Sequence, residues 1–218
     1  ELIFPFRPEM NELFSWAYTV VPGWKWLYYE ALTCWQYDQS ERAKELFIKC
    51  GNDPDFAPFY LTKSRLFEDD YTVFLTSVER AYSLDPDSWR TGMEMVNLYI
   101  KENQFEKALQ IAKRNFKSHS DKCMVVLQYA NVLKINGRYS ETLKILIQTE
   151  MLPAESDKFS GDLDAHELFR ETNILCAINE IKSEKWEKAL TFLHEAETWP
   201  EHLGFGEPYL PDNRLTQF

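Results

Sequence analysis

Hydrophobic and small residues recur at helical spacing through the middle of this chain, and the recurrence itself repeats. In residues 126–146, VLQYANVLKINGRYSETLKIL, one helical face carries Val126, Tyr129, Ala130 and Leu133. The pattern breaks at Asn136 and Gly137 and resumes with Tyr139, Leu143 and Leu146, which predicts two helices joined by a tight turn. Counting back 34 residues, Asn131, Leu133, Tyr139 and Thr142 land on Asn97, Tyr99, Phe105 and Ala108. A helix–turn–helix unit at that period marks a stack of hairpins, because each hairpin can bury its apolar face only against its neighbours.

Weaker copies extend the pattern both ways. Met95, Val96, Tyr99, Phe105, Ala108 and Ala112 form one hairpin after the Leu84-Asp85-Pro86 turn, and Leu27, Ala31, Cys34, Ala43 and Phe47 form an earlier one. Between them Tyr60, Ser64 and Phe67 supply a first helix and Phe74, Val78 and Ala81 a second, at a step of 31, with the missing residues expected around Glu68, Asp69 and Asp70. Downstream, Ala177, Trp186, Ala189, Leu193 and Ala196 repeat the pattern at a step of 47, and the extra 13 residues fall in a surface insertion at 153–165. The chain then divides into a leading helix in 1–21, hairpins over 22–198 and an irregular tail at 199–218. The leading helix carries Leu13, Phe14, Trp16, Ala17 and Val20 and is expected to lie on the first hairpin; the tail, anchored by Phe205, Tyr209 and Leu210, is expected to fold back as a cap.

The order of large, small, aromatic and Ala positions resembles the tetratricopeptide repeat (TPR), in which the small residue lets two helices cross closely. The resemblance implies an all-α fold, a right-handed superhelical solenoid of about five hairpins, whose first helices line a concave groove for a protein or peptide. It also implies a non-catalytic role. The segments PGWKWLYYEAL, DPDFAPFYL and WPEHLGFGEPY resemble, in addition, the C-terminal helical part of large bacterial proteins whose N-terminal half is a β-rich domain. That second likeness implies association with such a domain and no activity for this chain.

Carrying the helical phase over places Lys25, Tyr28, Leu32 and Trp35 on the groove side of the first hairpin, with Leu61 and Arg65 from the second. The third contributes Arg90, Met93, Asn97 and Lys101, and the fourth Met124, Leu127, Asn131 and Lys134. This face is richer in Lys and Arg than the whole chain, so it suits a peptide segment or acidic group, with Asn97 and Asn131 able to hydrogen-bond an extended backbone. The family's clamp for a C-terminal carboxylate needs a Lys and an Asn one turn apart; Met93 and Leu127 occupy the Lys positions, which disfavours a chaperone-tail receptor.

A formal charge of -11 argues against nucleic acid, whose phosphates require a basic field. Hydrophobic residues make up 44% of the chain and glycines number seven, enough core for one elongated domain and too few turns for an all-β fold. No apolar run reaches the ~18 residues that membrane insertion needs. The chain opens at Glu1 without Met or a basic-then-apolar leader, which reads as a piece or processed form of a longer protein, soluble in either cytoplasm or periplasm. Cys34, Cys50, Cys123 and Cys176 form no CxxC, and His119, His166, His194 and His202 have no partnered nucleophile, so neither metal, cofactor nor catalytic centre is expected. One further cluster stands out: Trp24, Trp26, Tyr28, Tyr29, Trp35 and Tyr37 crowd a single short stretch. More rings than one helix can bury against its partner imply a neighbour, and the leading helix is the favoured one; the sharper alternative is that the chain is an accessory region of a carbohydrate-active multidomain protein and offers them to a sugar.

Overall fold

The computed structural model describes residues 7–151 and 165–204. Every regular element among them is helical: α1 (Met10–Val20), α2 (Trp24–Gln36), α3 (Ser40–Lys49), α4 (Ala57–Leu66), α5 (Tyr71–Leu84), α6 (Trp89–Lys101), α7 (Phe105–His119), α8 (Cys123–Ile135), α9 (Tyr139–Gln148), α10 (Ala165–Lys182), α11 (Trp186–Glu197) and a 3-10 turn at Glu201–Leu203. The chain divides into two compact units at Leu98–Tyr99, within α6. In the first unit α1 packs on α2, α2 pairs with α3 and α4 with α5; in the second α7 meets α8, α8 pairs with α9 and α10 with α11.

The turn between successive helices is one solution used four times. Asp38, Asn103, Gly137 and Glu184 all adopt left-handed backbone, with φ of 59, 58, 73 and 58°. After each, the next amide donates back five residues: Gln39 to the Cys34 carbonyl, Gln104 to Tyr99, Arg138 to Leu133 and Lys185 to Glu180, all at 2.8–2.9 Å. This is the Schellman geometry, which satisfies carbonyls that the ending helix leaves without partners. The last two steps between these turns are 34 and 47 residues, as the side-chain pattern anticipates. The second hairpin departs from this. Its turn is capped instead by Asp70, whose carboxylate accepts from the Thr72 and Val73 amides at 3.1 and 3.2 Å. Its first helix, α4, has 10 residues where α2, α6 and α8 have 13, so the short step lies in the helix as well as around Glu68–Asp70.

Small residues sit where the helices cross. Ala31, Ala43, Ala81, Ala108, Ala130 and Thr142 are completely buried. At Thr142 the hydroxyl that replaces an Ala methyl donates to the Ala130 carbonyl at 3.2 Å, so the polar group has a partner inside the core. Around the crossings, Phe47, Phe59 and Tyr60 fill the first unit, and Leu146, Leu168 and Phe169 the second. A buried carboxylate joins three helices of the first unit: Glu30 accepts from Ser15 Oγ on α1 at 3.0 Å and from Arg42 Nη2 on α3 at 3.2 Å.

The ends differ from the sequence expectation in detail. α1 meets α2 through Phe14, which stacks on Tyr29 at 5.4 Å, whereas Leu13, Trp16 and Val20 remain 47, 63 and 57% exposed. One helix offers two apolar stripes, and the one carrying Phe14 is inward. At the other end, residues 199–204 return to the second unit. The Trp199 ring stacks on His166 at 4.0 Å, His166 Nε2 bonds the Pro200 carbonyl at 3.0 Å, and the Met151 amide donates to the His202 carbonyl at 2.8 Å. The expected cap anchors Phe205, Tyr209 and Leu210, and the insertion apart from Ala165, lie outside the described residues.

Candidate functional site

The candidate surfaces are taken unit by unit: first helices α2, α4 and α6 as far as Leu98 in the first unit and, separately, α8 and α10 in the second. Their apolar stripes turn toward the partner helix, so the charged residues between those stripes face outward. Lys25, Arg65, Arg90, Asn97 and Lys101 are exposed; Trp35, Met93, Met124, Asn131 and Lys134 are half-buried. Three of the positions expected there are instead core. Leu32, Leu61 and Leu127 are each 6–7% exposed.

Tyr28 is buried as well, at 6% exposure. Its ring meets Phe47 and Phe59 edge-on at 5.7 and 5.3 Å, and its hydroxyl lies 3.5 Å from Thr62 Oγ1 on α4. Burial raises the phenol's pKa, against the opposing effect of the Thr62 hydrogen bond. The aromatic cluster is therefore largely spent on packing. Trp24 and Trp35 lie against the same core, and Trp24 meets Phe56 at 6.5 Å and Phe59 at 6.0 Å.

The basic character of the surface is partly matched by carboxylates that the sequence expectation omitted. Arg65 on α4 donates from Nη2 and Nε to Glu94 Oε1 on α6, at 2.8 and 3.2 Å. Asn97 donates to the other oxygen of Glu94 at 3.4 Å. In the second unit Lys134 on α8 donates to Glu171 Oε2 on α10 at 2.7 Å. Neither Glu94 nor Glu171 stands out along the chain, because each belongs to the hairpin after its partner, 29 and 37 residues away. The signal that could have found them is a carboxylate on the outward stripe of the next first helix.

Two cations sit differently, over indole rings. Lys25 Nζ is 5.7 Å from the Trp24 ring centroid and the Arg90 guanidinium 4.3 Å from that of Trp89. These Trp–cation pairs open α2 and α6, first helices two hairpins apart. Such stacking contributes about 0.5–1 kcal/mol at exposed sites and leaves the cation's outer side available to a ligand. Among the described residues no group of three His, Cys, Asp or Glu side chains could hold a metal, and no helix is long and apolar enough to cross a membrane.

An all-α chain of hairpins with a repeated Schellman turn and outward-facing first helices has a TPR-like fold, and solved structures agree. YrrB, a TPR protein with an unusual peptide-binding site, is 17% identical, matches over 85% of this chain and 91% of its own, and superposes with a TM-score of 0.63. PilF of Pseudomonas aeruginosa is 12% identical over 86% of this chain and 81% of its own, with a TM-score of 0.57. A tetratricopeptide repeat protein from Parabacteroides merdae is 11% identical over 87% of this chain and 70% of its own, with a TM-score of 0.50. No family model matches the chain, and no curated protein matches it.

Proposed function

We propose that this chain is a non-catalytic interaction scaffold that holds an extended segment of a partner protein on the outward faces of its first helices. TPR-like neighbours support a protein-interaction role in general. The observation that carries the reading is the row of polar groups on α4 and α6: Arg65, Glu94, Asn97 and Arg90 stand side by side on one face. A row with both donors and acceptors fits a peptide backbone with mixed side chains, and of the two expected ligands, a peptide segment or an acidic group, it favours the peptide segment. The likeness to YrrB, itself a protein with a peptide-binding site, points the same way. The partner segment can belong to another domain of a longer parent chain, which is what the likeness to large bacterial proteins with a β-rich N-terminal half would require.

The carbohydrate reading has less support, since Tyr28, Trp24 and Trp35 are engaged in the core of the first unit. The deciding experiment is a crosslinking pull-down from the source cell with the 218-residue chain and with an Arg90→Glu, Lys101→Glu variant. Loss of a specific partner from the variant supports the scaffold; a partner indifferent to both changes, or none, overturns it.

A further inference from the structure

A separate surface lies at the elbow where α1 gives way to α2. Val21, Pro22, Trp24, Lys25, Trp26 and Tyr29 line an open depression there of about 440 Å³. Its walls are held from behind: Tyr29 is stacked on Phe14, and Trp24 stacks on Phe56 and meets Phe59 edge-on, so a ligand would meet rings already in place. On the α1 side the apolar surface continues, with Val20, Val21 and Trp16 all more than half exposed.

The mouth of this depression has a sign opposite to that of the whole protein. Lys25 is the one charged residue of the lining. The first turn of α2 around it contains no acidic residue, and Gly23 supplies no side-chain cap, so α2 itself brings no negative group to the positive end of its dipole. On a chain of net charge -11, this is a local positive field beside an apolar hollow.

We propose that the elbow docks a peptide segment of a partner protein in which a bulky apolar side chain is flanked by a carboxylate. The apolar side chain enters between Trp26 and Tyr29, and the carboxylate meets Lys25. A sugar is a poorer match, because its hydroxyls need several planar hydrogen-bonding side chains and the lining offers only indole N–H groups, one phenol and one amine. A second copy is also a poorer match, since it would bring -11 to a partner of equal charge.

The test follows the indole N–H signals of Trp24 and Trp26 in the isotope-labelled 218-residue chain. The probe is the peptide acetyl-Ser-Asp-Phe-Glu-Ser-amide, compared with its analogue carrying Lys at both acidic positions. A saturable shift is expected with the acidic peptide. Binding should weaken at least ~10-fold for the Lys analogue and for Lys25→Glu, and vanish in Trp26→Ala. Lys25 is exposed, so Lys25→Glu keeps the test decisive if Trp26→Ala disturbs folding. The Arg90→Glu, Lys101→Glu variant should bind the probe unchanged, which separates this surface from the first-helix row. Indoles that stay still at about 1 mM peptide, or equal binding of the two peptides, would overturn the proposal. So would shifts that follow dilution of the protein alone, which mean a second copy, or the same shifts with maltopentaose, which mean a sugar site.

Discussion

Arg65 on α4 donates to Glu94 Oε1 on α6 at 2.8 Å, tying the first helix of one hairpin to the first helix of the next. Glu94 is mostly covered and Arg65 is 63% exposed, so the guanidinium remains reachable from solvent. An exposed pair of this kind contributes less than about 1 kcal/mol to stability. Its larger effect is on the charge that a ligand meets.

Glu94→Gln should therefore leave the thermal midpoint nearly unchanged and release Arg65 toward ligand. Fluorescence anisotropy with a labelled acidic peptide is expected to report tighter binding than in the parent at low ionic strength, with the gain fading as salt is added. Equal binding by the two proteins would remove Arg65 from the ligand surface.

The repeated turn makes an asymmetric prediction. Gly137 has φ of +73° with open space around it, so Gly137→Ala meets no steric obstacle and still places a Cβ on left-handed backbone. A loss of about 1 kcal/mol is expected in urea unfolding. Glu184 already bears that strain at φ of 58° on an exposed turn, so Glu184→Gly should gain about 0.5–1 kcal/mol.

Within the first core, Phe47 and Phe59 have no exposed surface and their centroids are 5.0 Å apart. Truncating either to Ala should cost about 3–5 kcal/mol. Tyr28→Phe keeps the ring contacts and gives up only the long 3.5 Å approach to Thr62, so its cost should stay below about 1 kcal/mol by the same unfolding measurement.

The thiols predict a pH dependence. Burial pushes Cys50 up to about 12, with Lys63 acting weakly in the other direction. The contribution of that protonated thiol is whole below the unfolded value of about 8.5 and is lost as pH climbs toward the folded one. Cys34 and Cys176 are raised by burial in the same sense. The melting temperature should fall between about pH 8 and pH 10.5, and fall less in Cys50→Ala. In the native chain a thiol reagent should label the exposed Cys123 before the three buried cysteines.

The sequence carries the helices and turns more legibly than the surface. Positions such as Ala31, Ala130 and Gly137 are dictated by what their own hairpin must do, namely cross closely or reverse the chain, so spacing reveals them. Tyr28 was harder, because its ring meets Phe59 of the next hairpin on α4 as well as Phe47 of its own partner α3, and a ring on the border of two faces is claimed by the core. Glu94 and Glu171 were illegible for another reason: a cross-hairpin pair depends on how successive first helices lie side by side, which helical phase alone does not specify. The two stripes of α1 pose the same problem, since both Phe14 and the Leu13–Trp16–Val20 face satisfy helical periodicity.

The four identical left-handed turns have a further consequence for how such a chain can change in length. A segment cut from Asn103 to Asn136 would join Glu102 directly to Gly137, and the amide and carbonyl positions on each side of the seam would match those already present. A hairpin bounded by two such turns can thus be removed or duplicated without retuning the junction, whereas a cut that does not run from turn to turn breaks the Schellman geometry at the seam. Growth by quanta of one hairpin is written into the backbone angles of a handful of residues.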